Sequence, residues 1–411
     1  MWYTGVVNNN PFTPTFGVDP PLLVGRNDLL DDLVDAFEGG LGSPGKATLY
    51  VGSRGTGKTV MLNKAEELAK DRGWAVISEV ATPGLIDRMT NIRLPEVLSE
   101  IDSAKKTRLT GVTLPLGFGG DMWEKTDTRV VPDFRTQLIR ATSALAKHGS
   151  GLLVTIDEVH HRQIEDLREF GSAVQFAFRQ KQVNFVFVGA GLPSAVSAVL
   201  NDSVLTFLHR ADRHVLGPVR ADDIERAILE PIEANGRQIE PSALAAASSA
   251  TGGHPFLIQL VGRHIWRQHP ERVMITLSDA QSGVAAALRR IGSLVFDPDL
   301  ASLSDVDRSF LIAMTQDDGP SRTTDICTRL GVDATYAGQY RLRLIEAGMI
   351  QAVRHGEINF VQPLLREYLR EHVAILAPDI ITEASRVGGY AANELPTSGR
   401  PRGPQLGASD T

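Results

Sequence analysis

The segment GSRGTGKT, residues 52–59, constrains the fold of this chain more than any other. It matches the pattern G-x-x-x-x-G-K-[ST] in full, with the apolar run ATLYV before it and a helical pattern after it. This context predicts a buried strand, a phosphate-binding turn and a helix in that order. Further apolar runs alternate with helical patterns up to residue 218, which indicates a parallel sheet covered by helices on both faces. The predicted fold class is therefore α/β, with a parallel-sheet P-loop NTPase core.

The glycine-rich turn is predicted to bind nucleotide phosphates. Its backbone N–H groups can surround phosphate oxygens, and the dipole of the following helix favours their negative charge. Lys58 is expected to reach the β- and γ-phosphates as a catalytic residue, and Thr59 is expected to ligate Mg²⁺. The predicted nucleotide-binding residues of this segment are Gly52, Ser53, Arg54, Gly55, Thr56, Gly57, Lys58, Thr59 and Val60. A glycine-rich turn that contains Lys-Thr by chance is the alternative.

A second segment, LLVTIDEVHH at residues 152–161, is expected to complete the same site. Asp157 follows an apolar strand, where a carboxylate can hold Mg²⁺, and Glu158 is placed to polarise the attacking water as a catalytic base. The alternative is that both carboxylates only cap the next helix. The letters D-E-x-H also occur in helicases, but those need a second RecA-like domain, and the sequence after residue 220 predicts only helices and a winged helix. His160 and His161 are more typical of solvated residues at a helix start.

Two later segments supply further candidates. Arg210 precedes the last predicted strand of the core, and Arg213 lies within it. An arginine presented to the γ-phosphate of a neighbouring protomer raises hydrolysis by about 10³–10⁵-fold, so Arg210 is a catalytic candidate. A surface salt bridge is the alternative for either arginine. His254 and Pro255 begin a predicted helix, and such a start can contact a nucleotide or simply begin a helix.

Composition limits the function classes. The formal net charge of −7 and a pI near 5.8 argue against a protein whose main role is to coat nucleic acid. The single cysteine, Cys327, excludes an internal disulfide and a cysteine-cluster metal site. The N-terminus lacks the pattern of a signal peptide, and the longest apolar run, from Val183, is broken by Gly-Ala-Gly-Leu-Pro. We therefore expect a cytoplasmic protein without a membrane partner.

Changes in composition and periodicity predict an arm, a core with a hairpin insertion, an all-helical lid, a winged helix and a disordered tail. The winged helix is predicted from the order of three helices, two strands and a closing helix. The ranges are 1–22 for the arm, 23–218 for the core, near 107–123 for the hairpin, 219–292 for the lid, 293–375 for the winged helix and 376–411 for the tail.

Together these motifs resemble those of AAA-family ATPases related to the STAND class and to archaeal origin-recognition-type ATPases. NPFTPTFG followed by LLVGR looks like the box that lies against adenine in this group, and TGGHPFLIQL is similar to the G-x-P motif of the lid. The resemblance runs from about residue 10 to residue 373. It implies ATP and Mg²⁺ as cofactors, ATPase activity and a homo-oligomer. It also implies nucleotide contacts from Val24, Gly25, Arg26, His254 and Pro255.

Two departures from the family pattern favour slow hydrolysis. The fourth core strand ends in VGAG, with Ser194 the nearest hydroxyl, where relatives place a polar sensor residue. The lid carries His254 and Pro255 where many relatives use an arginine. The leading hypothesis is therefore a switch that couples ATP or ADP binding to the lid, the winged helix and self-association. A non-hydrolysing signalling scaffold is an alternative.

The winged helix leaves duplex DNA and a protein as alternative partners. Its third helix and wing offer candidate DNA contacts at Arg341, Arg343 and Arg354, with Thr335, Gln339 and His355 beside them. Acidic residues nearly balance basic ones across residues 321–373, however, and phosphate contacts normally dominate DNA affinity. An ATP-dependent DNA-binding regulator or DNA-loading factor is the second functional hypothesis.

Overall fold

The computed structural model describes residues 10–15, 17–39, 43, 45–109, 132–160, 164–179, 184–202, 205 and 207–376. Most of the predicted hairpin, the predicted tail after residue 376, the start of the arm and His161 lie outside these ranges. The chain divides into two compact units, Met1–Arg289 and Arg290–Thr411. The first unit contains the nucleotide motifs and the predicted lid. The second contains the predicted winged helix.

Strands and helices alternate in the core of the first unit. Its elements are α1 (Asn27–Glu38), β1 (Ala47–Val51), α2 (Lys58–Asp71), β2 (Ala75–Val80), α3 (Leu85–Arg88), α4 (Leu94–Leu109), α5 (Phe134–Ala146), β3 (Leu152–Asp157), α6 (Ile164–Phe178), β4 (Phe185–Gly191), α7 (Pro193–Leu200) and β5 (Asp212–Val215). A π-helical turn, Met89–Arg93, joins α3 to α4, and a 3₁₀ turn, Leu208–Arg210, precedes β5.

The five core strands are parallel and lie in the order β2-β3-β4-β1-β5. β4 is buried along its whole length, because helices cover both faces of the sheet and its residues are apolar or glycine. Leu49 and Val51 of β1 pack in one hydrophobic cluster with α5 and α6, while Tyr50 packs in the other with α1 and α2. The predicted parallel-sheet P-loop NTPase fold is confirmed.

Helix α4 corrects the predicted start of the hairpin insertion. The hairpin was expected from about residue 107, but α4 continues to Leu109. The preceding segment SAKKTRL consists mainly of good helix formers, and the next helix-breaking residue is Gly111. Residues 107–109, the first three of the predicted hairpin, are therefore the end of helix α4.

The lid contains α8 (Ala221–Ala234), α9 (Pro241–Thr251), α10 (Pro255–Trp266) and α11 (Leu277–Ile291). The prediction of an all-helical lid is wrong, because β6 (Gln238–Ile239) and β7 (Met274–Ile275) form a short parallel pair. The N–H groups of Gln238 and Glu240 donate to the carbonyl oxygens of Val273 and Ile275. These bonds satisfy backbone groups in two loops that are otherwise without helical partners.

The described part of the predicted arm lies against two helices of the first unit. We call residues 10–15 and 17–20 the N-terminal strap. The Phe12 side chain is fully buried, and Asn10 donates to the carbonyl oxygen of Arg263 in α10. Asp19 accepts from Asn63 in α2 and forms an ion pair with Lys64 at 3.0 Å. The strap therefore joins the lid helix α10 to the helix that follows the P-loop.

The second unit contains α12 (Asp297–Ala301), α13 (Asp305–Met314), β8 (Ser321–Arg322), α14 (Thr323–Leu330), α15 (Ala334–Glu346), β9 (Ile350–Arg354), β10 (Glu357–Phe360) and α16 (Pro363–Leu376). Its antiparallel sheet has the order β8-β10-β9, so it has one more strand than the sequence predicted. The order of α13 to α16 is compatible with a winged helix. No described helix in either unit reaches the length and apolarity that crossing a bilayer requires.

Candidate nucleotide-binding site

The P-loop forms the turn between β1 and α2, at the carboxyl edge of the sheet. Gly57 precedes α2 with φ of 92°, a left-handed conformation that glycine adopts without strain. The Lys58 side chain turns back over the loop, and Nζ donates to the carbonyl oxygens of Gly52 at 2.9 Å and Ser53 at 2.7 Å. The Thr56 hydroxyl also donates to Ser53, at 2.9 Å. The ammonium group therefore lies inside the turn, beside the helix start whose N–H groups attract an anion.

The surroundings of Lys58 favour an anionic ligand. Burial lowers the pKa of Lys58 to about 8, and Asp157 and Glu158 oppose this effect while Arg54 adds to it. A phosphate group close to Nζ would favour the charged ammonium and raise this pKa again. A negatively charged ligand would therefore stabilise the charged form of Lys58 in this site.

Thr59 and Asp157 meet at the sheet edge although 98 residues separate them. Thr59 Oγ1 donates to Asp157 Oδ2 at 2.8 Å, across the end of β4, which lies between β1 and β3. Mg²⁺ in phosphate sites usually takes one or two protein oxygens, with water and phosphate oxygens completing its shell. The described residues hold no cluster of three or more His, Cys, Asp or Glu suited to an all-protein metal site. Thr59 and Asp157 thus fit a Mg²⁺ shared with nucleotide phosphates.

Glu158 follows β3 in a conformation that few non-glycine residues adopt. Its φ is 54°, and its N–H donates to Asp157 Oδ1 at 2.8 Å. Backbone strain of this kind costs about 1–3 kcal/mol and is concentrated at functional sites. The Glu158 side chain is exposed beside Asp157, so water can reach its carboxylate.

The end of β4 explains why a polar sensor side chain is missing. The N–H of Gly52 donates to the carbonyl oxygen of Gly191, and the N–H of Val159 donates to that of Ala190, so β4 binds the chain where it leaves β1 and β3. A Cβ atom on Gly191 would lie 2.6 Å from the carbonyl oxygen of Val159. This close approach excludes any larger residue at the strand end. The side chain of Ser194, the predicted nearest hydroxyl, lies outside the described set.

The lid contacts the P-loop through the start of α10. His254 Nε2 lies 3.0 Å from the carbonyl oxygen of Arg54, and the N–H of Phe256 donates to Gly55 at 3.3 Å. Because a carbonyl oxygen only accepts, Nε2 carries the proton, and Nδ1 has no partner within the described residues. Burial lowers the pKa of His254 to about 4, so its imidazole is neutral near pH 7. The predicted contact residue His254 therefore touches the phosphate-binding loop itself.

An open groove lies beside the P-loop. It is bounded by the residues before α1, the start of α2 and the lid helices α8 and α10. Its lining includes the predicted residues Val24, Arg26, Thr56, Gly57, Val60 and Pro255. Leu22 and Leu23 belong to the predicted adenine box, and Ile258 and Gln259 to the lid motif, although none of them was named as a contact. Pro20, Met61, Val219 and Ala227 were not predicted. Helical spacing from Pro255 was the signal that pointed to Ile258 and Gln259.

The predicted adenine box reaches this groove in part. Arg26 donates to the carbonyl oxygen of Gly217 at 2.7 Å, and burial lowers the pKa of Arg26. Val24 is buried beside it. Gly25 is absent from the groove lining, and a Cβ atom there would lie 3.0 Å from Asp223 Oδ2 of α8. Gly25 therefore allows the close approach of α8 rather than contact with a base.

Both predicted trans-acting arginines lie away from their own P-loop. Arg210 ends the 3₁₀ turn before β5, and Arg213 pairs with Leu49 in the parallel β1–β5 ladder. The ladder runs from Asp212 to Val215, so roughly 10 Å of strand separates its start from the level of the P-loop. Both side chains are exposed. Arg210 is therefore not placed to act on phosphates bound to its own P-loop.

The candidate DNA contacts of the second unit are largely paired with carboxylates. Arg343 donates to Asp307 at 2.7 Å and lies over the ring of Tyr340. Arg354 lies 3.6 Å from Glu357. Arg341 is half-buried. These contacts reduce the positive charge available for a phosphate backbone.

Two solved structures share the fold of this chain. The Walker-type ATPase PABY2304 of Pyrococcus abyssi has a TM-score of 0.57 at 15% identity, covering 85% of this chain and 96% of that one. The Aeropyrum pernix ORC2 protein, solved as ADPNP–ADP complexes, has a TM-score of 0.57 at 14% identity, covering 89% of this chain and 97% of that one.

Sequence comparisons add one match and one negative result. Residues 293–369 match a family described as a domain of unknown function (DUF8462). Among curated proteins, none shows significant sequence similarity to the chain. At 14–15% identity these likenesses show the fold alone: the chain shares its fold with a Walker-type ATPase and with the ORC2 protein.

Proposed function

We propose that this protein is an ATP-binding and slowly hydrolysing switch of the AAA type, in which the lid responds to the nucleotide. One observation carries the proposal: His254 and Phe256, at the start of the lid helix α10, hydrogen-bond the carbonyl oxygens of Arg54 and Gly55 in the P-loop. A ligand that moves the phosphate-binding loop must therefore keep, shift or break these bonds. Differential contacts of this kind are what a nucleotide-dependent change in the lid requires.

The phosphate chemistry is assigned to four residues. Lys58 neutralises the β- and γ-phosphates from inside the turn, and Thr59 with Asp157 holds Mg²⁺. Bound Mg²⁺ supplies positive charge that stabilises the phosphoryl group during transfer. The exposed carboxylate of Glu158 polarises the water that attacks the γ-phosphate.

Slow turnover follows from two features of the same site. The strand between the two motifs ends in Gly191, which excludes a sensor side chain. The lid presents a neutral His254 to the P-loop, so it adds no positive charge where the γ-phosphate develops charge. Arg210 is exposed before β5, at the end of this strand that lies away from the P-loop. In a homo-oligomer it supplies that positive charge to the ATP site of a neighbouring protomer.

Nucleotide titration tests the site assignment. We expect Lys58→Ala to weaken ATP and ADP binding by at least about 10-fold, because a charge-assisted phosphate contact is lost. Lys70→Ala is the matched control, since Lys70 lies on the same helix with its side chain 63% exposed. Equal ATP affinity in the Lys58 variant and the wild type would disprove the assignment.

Phosphate release separates the switch from a non-hydrolysing scaffold. Glu158→Gln should bind ATP normally and release phosphate about 10²-fold more slowly than the wild type. Glu165→Gln, at a carboxylate 81% exposed, is the control. A wild-type rate no higher than that of Glu158→Gln would favour the scaffold instead.

An ATP-dependent DNA-binding role has weaker support, because Asp307 and Glu357 already pair with two of the three candidate arginines. Retention on duplex DNA that falls with salt, and is lost in an Arg341→Ala/Arg354→Ala double variant, would support this role. If ATP produces no binding even at low salt, the DNA hypothesis fails.

A further inference from the structure

The groove beside the P-loop contains few polar side chains, and most of them already have partners. Thr56 donates its hydroxyl to Ser53, and Arg26 donates to Gly217. Gln259 is the other polar side chain of the lining. It lies one turn after Pro255, on the same face of α10. Its position makes it the side chain best placed to contact a ligand over Pro255.

The N-terminal strap fixes the orientation of Gln259. The N–H of Thr13 donates to Gln259 Oε1 at 3.2 Å. Because a backbone N–H can donate only to the carbonyl oxygen, the amide nitrogen Nε2 must point the other way. Gln259 is only 8% exposed, and Nε2 has no hydrogen-bond partner within the described residues. It is not among the fully enclosed polar atoms without partners, and Gln259 lines the groove, so Nε2 is the amide atom left to contact a ligand there.

Contacts of the residues before Thr13 hold the strap in place. The Phe12 ring packs against Gly262, where a Cβ atom would lie 2.3 Å from it. Asn10 donates to the carbonyl oxygen of Arg263, the residue after Gly262 in α10. Oδ1 of Asn10 accepts from the N–H of Phe12. The amide of Gln259 is therefore pre-oriented before any ligand arrives, which reduces the entropy cost of using it.

We propose that Gln259 determines base specificity, with Nε2 donating to a ring nitrogen of adenine. This proposal rests on the proposed ATP site. The side chains offer donors in the groove, because Arg26 has no acceptor atom and the Gln259 oxygen is used by Thr13. Adenine presents acceptor nitrogens at N1, N3 and N7 and a donor group at N6, whereas guanine presents an N1–H donor, an N2–H₂ donor group and an O6 acceptor. At N1 guanine presents a donor where adenine presents an acceptor, so the Nε2 donor would face another donor, which penalises guanine.

Base analogues and Gln259 variants test the proposal in the full-length protein. ATP, GTP and the 1-deaza, 3-deaza and 7-deaza analogues of ATP are titrated, each deaza analogue lacking one ring acceptor. For the wild type, one analogue should bind about fivefold to tenfold more weakly than ATP. Gln259→Leu should bind ATP more weakly than the wild type does, by a similar factor. Within this variant, ATP and that analogue should bind with equal affinity.

Gln259→Glu reverses the polarity of the groove. One carboxylate oxygen still accepts from Thr13, and the other now offers an acceptor where Nε2 offered a donor. The ratio of ATP to GTP affinity should fall by roughly tenfold or more relative to the wild type. Gln281→Glu makes the same change at an exposed position of α11 and should leave this ratio unchanged.

Three results would overturn the proposal. Gln259→Leu could bind ATP as tightly as the wild type does, or it could still bind the deaza analogue more weakly than ATP. Gln259→Glu could keep the wild-type ratio of ATP to GTP affinity. If Gln259→Glu unfolds in a thermal melt, the leucine variant and the analogues decide alone. Failure of the ATP site itself is distinct, because the wild type would then bind none of the nucleotides and Lys58→Ala would change nothing.

Discussion

His254 shows how one residue's protonation is decided by its surroundings. Its Nε2 proton is directed to the carbonyl oxygen of Arg54, and burial lowers the pKa to about 4, with the Arg54 hydrogen bond opposing and Lys58 adding to that shift. A protonated imidazole would place a buried charge beside the Lys58 ammonium. The neutral form is therefore the one that closes the lid on the P-loop.

This pKa predicts acid sensitivity. Folded His254 takes up a proton only near pH 4, whereas the unfolded side chain does so near 6.5. Between these values the unfolded state binds more protons, so the free energy of unfolding falls as the pH falls, by up to about 3 kcal/mol. His254→Gln keeps a donor for Arg54 but does not titrate. Unfolding curves of both proteins from about pH 7 to pH 4.5 should diverge, and parallel curves would refute the prediction.

At the scale of elements, α10 joins three functions along its length. Its first turn contacts the P-loop through Phe256, its second presents Gln259 to the groove, and its third packs Gly262 against the strap. Residues spaced by three and four lie on one helix face, so a shift of α10 affects all three contacts. We propose that the nucleotide and the strap influence each other through this helix.

Gly262→Ala tests the strap at this scale. Alanine improves helix propensity by about 1 kcal/mol, but its Cβ would lie 2.3 Å from the Phe12 ring, so Phe12 must move. We expect faster proteolysis within residues 10–22 and a lower melting temperature. Gly338→Ala in α15 is the control, because nothing lies within 4 Å of its Cβ position and it should gain about 0.5–1 kcal/mol. Unchanged proteolysis in Gly262→Ala would show that the strap is not held by this contact.

At the scale of the whole molecule, Arg210 lies apart from the other proposed catalytic residues. The described residues place Lys58, Thr59, Asp157 and Glu158 together, while Arg210 lies beyond the far end of β5. We propose that a second protomer completes the site, with its Arg210 facing the γ-phosphate. ATPase activity per chain is then expected to rise with protein concentration.

Mixing two inactive variants tests this arrangement. Arg210→Ala should bind ATP normally and lose about 10³-fold in turnover, whereas Lys58→Ala should fail to bind ATP. Because each variant retains what the other lacks, a mixture should recover part of the wild-type rate, measured as phosphate release. Arg213→Ala, two strand positions from the level of the P-loop, is compared in parallel. No recovery in the mixture would place Arg210 outside the site.

The sequence by itself determined the elements whose signals are local. The P-loop pattern between an apolar strand and a helix predicted both the fold class and Lys58, since loop, strand and helix are adjacent in the chain. The apolar run before Asp157 likewise indicated a carboxylate at a strand end. The continuation of α4 to Leu109 and the short β6–β7 pair escaped, because helix ends and two-residue strands leave weak periodicity.

Only the tertiary structure decided which distant groups meet. Thr59 reaches Asp157 across 98 residues, Arg343 reaches Asp307 across 36, and Thr13 fixes Gln259 across 246. No local pattern records such pairings, because they follow from strand order and helix packing rather than from neighbouring residues. The sequence thus determined that phosphate is bound after β1, while the tertiary structure decided the orientation of Gln259, the contact of the lid with the P-loop and the outward position of Arg210.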